Sequence, residues 1–199
     1  MFIHSSMDTV GDHPVTLSEH FAIMSNNSKQ GAKSNEQGGL SDTIVVGIGM
    51  KVMVTSNVET DLDITNRARG EIIQIILDDK ETSCSSSQSI VHLQYPPVYI
   101  LIKMTLSKVA RLKGLHDKVI SLIPIERKFF IKTRNTTKSV THRQIPLTAA
   151  YAFMDYRSQG QTIHHAIIDI VTPPTRTITL FNIYIALSQC RRREGIHLL

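Results

Sequence analysis

Residues 151–170 read YAFMDYRSQGQTIHHAIIDI. A short aromatic and apolar run gives way to a polar turn, Arg157-Ser158-Gln159-Gly160-Gln161-Thr162, and then to a β-branched run closed by Asp169. Both flanks favour burial and the turn does not. A polar loop fixed at the edge of a core presents its side chains to something outside that core. The run at 163–171 predicts a buried strand, and the apolar residues of 147–156 predict a short helix before the turn. Further on, LFNIYIALSQC at 180–190 places Phe181, Tyr184, Ile185 and Leu187 at helical spacing. Gly195 is read as the stop of that helix, and 196–199 starts a last strand. Helix, strand, helix, strand is the grammar of an α/β layer.

Upstream the grammar differs. β-rich runs at 44–46, 51–55, 71–77, 90–95, 98–104, 121–125 and 128–133 are separated by turn residues such as Gly47, Gly49, Gly70, Asp78, Asp79, Pro96 and Pro97. Such spacing predicts a small antiparallel β-barrel, with Pro124 confined to an edge or a bulge. Residues 1–41 are expected to be a mostly disordered extension. Their stretch SNNSKQGAKSNEQGGLSD would bury little, although a short amphipathic piece at 17–24 precedes it. The chain thus divides into 1–41, a barrel at 42–143 and an α/β segment at 144–199.

Composition narrows the classes. The chain has 199 residues, of which 41% are hydrophobic, enough for a sizeable core. A net charge of +5 and a pI near 9.3 favour a polyanionic partner, and the basic excess falls late, at Lys103, Lys108, Arg111, Lys113, Arg127, Lys128, Lys132, Arg134, Lys138, Arg143 and 191–193. No apolar run approaches the roughly 18 residues that span a bilayer, so no membrane association is expected. The first residues lack a basic and then apolar leader, and two cysteines make no disulfide framework, which together fit an intracellular location.

Most chemistry-bearing motifs are absent. VVGIGMKV lacks the third glycine of a dinucleotide fingerprint, because Val52 takes its place, and it reads as a β-turn. No GxxxxGK[ST] phosphate loop occurs, nor a strand end with paired acids for Mg²⁺. Cys84 and Cys190 stand apart from any His, and His164 and His165 diverge as neighbours on a strand, so no metal site is expected.

Three segments, GMKVMVTSNVETDLDITNRARGEIIQI, PLTAAYAFMDYRSQGQTI and LFNIYIALSQCRRREGIHLL, together resemble the closing third of Pif-type DNA helicases. Within that group they look like fungal copies, including the helicases of Helitron-like transposons. The resemblance covers about residues 42–199. It implies an incomplete second RecA-like domain, resuming at about Gln144 and interrupted by a Src-homology-type barrel, with the first RecA-like domain and its phosphate loop missing from the chain. Intact relatives would couple hydrolysis of ATP, with Mg²⁺, to 5′-to-3′ unwinding of DNA, and the location would be nuclear.

The resemblance also assigns roles. SQGQT resembles helicase motif V, which lies between single-stranded DNA and ATP. Arg157, Ser158 and Thr162 would meet DNA, while Gln159 and Gly160 would approach the nucleotide phosphates. IALSQCRRREG resembles motif VI, whose family form puts an arginine finger directly after the serine. Here that position is Gln189, which has no charge to place on a γ-phosphate. Two more departures are Arg67, where the family has a turn glycine, and Met154, where it has a threonine. Each of the three is reachable by one transition, as in a decaying copy of a mobile element. Alone, the chain is expected to bind neither ATP nor Mg²⁺ tightly and to be catalytically inactive, with a separate ATPase half as possible partner. Two other readings stand beside this one: a single-stranded nucleic-acid-binding module and a transposon relic without function.

Overall fold

The computed structural model describes residues 1–29, 40–81, 89–105, 108, 114, 117–133, 136–152, 160, 162–171 and 177–199, the side chains of 25–29 excepted. It is a sheet-dominated mixed α/β fold with few helices, divided into two compact units, Met1–Tyr151 and Ala152–Leu199.

Among its described residues the first unit holds three sheets. Strand β1 (Phe2–Ser5) lies between β4 (Thr43–Val46), antiparallel, and β7 (Val91–Leu93), parallel. Strands β2 (Met7–Val10) and β3 (His13–Pro14) join the long hairpin of β10 (Ile125–Thr133) and β11 (Thr136–Gln144) in the order β10-β11-β2-β3. The third sheet runs β12-β5-β6-β8-β9, from β5 (Lys51–Val54), β6 (Arg69–Ile76), β8 (Tyr99–Met104), β9 (Val119–Leu122) and β12 (Leu147–Ala149). The main core gathers alternate residues of these strands, including Val52, Val54, Ile72, Ile100, Ile102, Leu122 and Leu147. Each such side chain contributes about 1.5–3 kcal/mol by leaving water.

Three expectations are corrected. The five-stranded sheet does not close into a barrel: β12 and β9 are its two ends, and no ladder among the described residues joins them. The residues from Phe2 to Lys29 are not a disordered arm, since they form β1, β2, β3 and helix α1 (Leu17–Lys29). Composition misled there because β1 and β2 are held by distant partners, Val46 and Val91 for Phe2 and Val140 for Val10. The polar stretch at 30–39 lies outside the described residues. Finally, 147–149 is strand rather than helix: Leu147 pairs with Val54 and is buried in the main core. The remainder of that expected helix, from 153 on, lies outside the described residues.

Helix α1 covers one face of the four-stranded sheet. Ile23 packs on Ile131 and Val140, with Val10, Val15, Ala22 and Phe129 around them. Its start is a capping arrangement: the Thr16 backbone N–H and hydroxyl both donate to Glu19 Oε2, at 2.7 and 2.8 Å. The other Glu19 oxygen accepts from Lys138 Nζ of β11 at 2.9 Å. That hydrogen bond first, and the two from Thr16 after it, hold the Glu19 carboxyl down to about 2.

The GIGM segment is the turn that sequence suggested. Met50 N donates to Gly47 O at 3.1 Å and Gly49 sits at φ +80°, which hands the chain from β4 in one sheet to β5 in another. The following loop contains a departure with a structural cost. Arg67 has φ +76°, a left-handed conformation that disfavours any residue with a Cβ. Its N–H donates to Val54 O at 2.7 Å, so the geometry is fixed by pairing on both sides of the loop.

Candidate functional site

The second unit brings the two helicase-like segments together. Strand β13 (Ala166–Ile168) runs parallel to β14 (Ile196–Leu198), with Ala166 opposite Ile196 and Ile168 opposite Leu198. Ahead of that ladder, Ile163 forms a parallel bridge with Cys190. Ile163 N donates to Gln189 O at 2.9 Å, and Arg191 N donates to Ile163 O at 2.8 Å. The end of the polar turn is therefore stapled through backbone to the end of helix α2 (Leu180–Ser188), some 27 residues away by number, 163 to 190.

Helix α2 starts at a full capping box. The Asn182 N–H donates to Thr179 Oγ1 at 3.3 Å, while Asn182 Oδ1 accepts from the Thr179 N–H at 3.2 Å and from its hydroxyl at 2.6 Å. The helix buries none of its residues, and Leu180, Phe181 and Tyr184 are exposed, Leu180 by 85%. It ends at Gln189, not at Gly195. Gly195 is a buried residue of a short 3₁₀ turn, Arg193–Gly195, where a Cβ would overlap the His164 carbonyl oxygen. Its absence of side chain serves close packing rather than helix termination.

The predicted site residues divide as follows. Gly160 sits at φ +80° and is exposed, with open space around the position a Cβ would take. Its glycine is required by backbone shape. Thr162 is exposed beside it, one residue before the Ile163 bridge. Gln189 turns back on its own helix: its Nε2 donates to Ile185 O at 3.1 Å and to Ser188 Oγ at 2.9 Å. An uncharged amide held this way offers no cation to a phosphate. Arg157, Ser158 and Gln159, like Met154, lie outside the described residues.

Sequence reasoning missed the immediate neighbours of this staple. His164, His165, Arg191, Arg192, Glu194 and Gly195 line a surface hollow of about 460 Å³. Its lining residues include Arg191 and Arg192 against a single acidic residue, Glu194, a composition suited to an anionic group. The available signal was the run Arg191-Arg192-Arg193-Glu194-Gly195 itself, had Gly195 been read as a packing glycine. Among the described residues no three His, Cys, Asp or Glu side chains gather where they could hold a metal ion. No helix among them is long and apolar enough to cross a membrane.

The chain is similar to the Pif1 helicase from Candida albicans, with a TM-score of 0.60 at 18% identity over 99% of this chain and 39% of that one. Its fold is similar to part of that helicase's fold. Bacteroides Pif1 bound to ssDNA gives 0.53 at 18% identity over 98% of this chain and 34% of that one. The Bacteroides enzyme in complex with ADP-AlF3 and ssDNA gives 0.50 at 19% over 99% and 40%. The chain spans two-fifths or less of these Pif1 structures, and at such identities the likeness is one of fold. No protein-family model and no curated protein matches it.

Proposed function

We propose that the chain corresponds to the C-terminal part of a Pif-like 5′-to-3′ DNA helicase, of the fungal and Helitron-like kind, and that it engages single-stranded DNA without turning over ATP. On this reading the strand-rich unit interrupts a RecA-like layer that resumes in the second unit, at 152–199, later than the 144 expected from sequence, because β11 and β12 hold residues 144 and 147–149 in the first unit. Arg157, Ser158 and Thr162 contact the DNA backbone, and Gln159 and Gly160 lie toward ATP and its Mg²⁺. The observation that carries the reading is the Ile163–Cys190 bridge, which joins the two helicase-like segments in a chain whose fold is similar to part of the Pif1 helicases.

The reason for inactivity is chemical. Phosphoryl transfer needs a cradle for the β- and γ-phosphates, a Mg²⁺ site and a cation for the developing charge. This sequence has no GxxxxGK[ST] loop, and Gln189 replaces the cation. A separate ATPase half would have to supply the first two. The three arginines after Cys190 do not replace the finger on this reading, because the family's arginine follows the serine directly.

The test measures two quantities on one preparation of the purified chain. Binding of a fluorescent single-stranded oligonucleotide at low salt is expected to be present, and ATP turnover with or without that oligonucleotide is expected to stay at background. Absence of binding would overturn the assignment to a DNA-engaging helicase part, and turnover clearly above background would overturn the assignment of the ATPase machinery to another segment.

A further inference from the structure

The hairpin of β10 and β11 carries a feature that the contacts proposed at 157–162 do not use. Its two faces differ because residues alternate along each strand. The inner row contains Phe129, Ile131, Lys138 and Val140, which lie under α1, with Lys138 tied to Glu19. The outer row is open. Lys128, Phe130 and Lys132 are all exposed there, successive members about 7 Å apart by strand geometry. Thr141, Ser139 and Thr137 stand directly opposite them on β11. Arg143 extends the row, opposite Glu126, the one carboxylate on this face of the hairpin.

We propose that this outer face is a nucleic-acid-binding platform for single strands, distinct from the loop at 157–162. The lysines and Arg143 meet the phosphates, Phe130 stacks on a base, and the hydroxyls of Ser139 and Thr141 donate to phosphate or sugar oxygens. A plainer role for lysines on β10 is to guard the edge of a four-stranded sheet against pairing with other chains. Phe130 argues against it. A guarding row has no use for a phenyl ring that is 71% exposed between two lysines, since that ring adds the apolar surface such a row exists to avoid. Aromatic and basic residues interleaved on a β-surface match what a flexible polyanion with flat bases requires.

The experiment titrates the whole chain with a fluorescent oligothymidine across a salt series. The variants are Lys128→Glu with Lys132→Glu, Phe130→Ala, and Lys103→Glu as a control on another sheet, with circular dichroism confirming the fold of each. The double lysine variant is expected to weaken binding at least tenfold and to reduce the slope of log affinity against log salt by about 1.4, two phosphates at roughly 0.7 each. Phe130→Ala is expected to weaken binding about tenfold at every salt concentration, and Lys103→Glu to change it less than threefold. Loss with the lysine variant but none with Phe130→Ala overturns the nucleic-acid assignment in favour of a general polyanion surface. Should the lysine variant lose its fold, Lys128→Gln with Lys132→Gln carries the same reading. Undiminished binding in both variants, with photocrosslinks of the chain to a thiothymidine-carrying oligonucleotide at 160–165, sinks this platform alone. Binding abolished by them, with no crosslinks at 160–165 in the unsubstituted chain, supports the platform and sinks the assignment of DNA contacts to 157–162.

Discussion

At the scale of single residues, Arg67 shows how a local rule and a global pairing conflict. The left-handed region costs an L-residue roughly 1–2 kcal/mol, which a glycine avoids while losing about 0.4–1 kcal/mol to unfolded-chain entropy. Arg67→Gly is therefore expected to raise stability by about 0.5–1 kcal/mol, read as a higher urea midpoint at unchanged slope. A lowered midpoint would mean that the arginine side chain contributes more than its backbone costs. This strain was foreshadowed by the resemblance, whose family has a turn glycine where this chain has Arg67. Gly195 was not. A packing glycine and a stop glycine look alike in one dimension, and only the His164 carbonyl above it separates them.

At the scale of elements, Glu19 links the start of α1 to β11. A carboxylate near 4.5 when unfolded and about 2 when folded binds fewer protons in the folded state. Its contribution is thus fully present above about pH 4.5 and is lost as pH falls toward 2. Urea midpoints measured from pH 6 to pH 2 should decline across that window, and Glu19→Gln should flatten the decline. An equal decline in both proteins would assign it to other groups. His4 adds to the fall from the other side: burial lowers its pKa below 6.5, so protonating it as pH drops through that region also disfavours the fold. The Thr16-x-x-Glu19 signature of this helix start was present in the sequence and passed over in favour of composition. The strands at 43–46, 51–54, 69–76 and 99–104 were readable from their β-branched runs bounded by glycine and acidic turns. Residues 147–149 were misread because three apolar and small residues have no period of their own, and their β5 partner decides them.

At the scale of the molecule, sequence showed the mixture of sheet and α/β grammar but not how the sheets are joined. Barrel closure depends on whether β12 meets β9, and strand periodicity says nothing of that. The parallel pairing of β1 with β7 is equally silent, since it joins residues about 90 positions apart. The candidate site was half legible. Helix α2 was readable from the helical spacing of Phe181, Tyr184, Ile185 and Leu187, most of the polar turn lies outside the described residues, and the backbone staple between Ile163 and Cys190 and the hollow beside it are products of the fold.

The central claim is that this staple forms part of a surface that meets single-stranded DNA. Its most direct test is photocrosslinking of the whole chain to an oligonucleotide carrying thiothymidine, followed by peptide mapping. The account predicts crosslinks within 157–165 and 189–195. Efficient crosslinking confined to other segments, with none in these two, would contradict it.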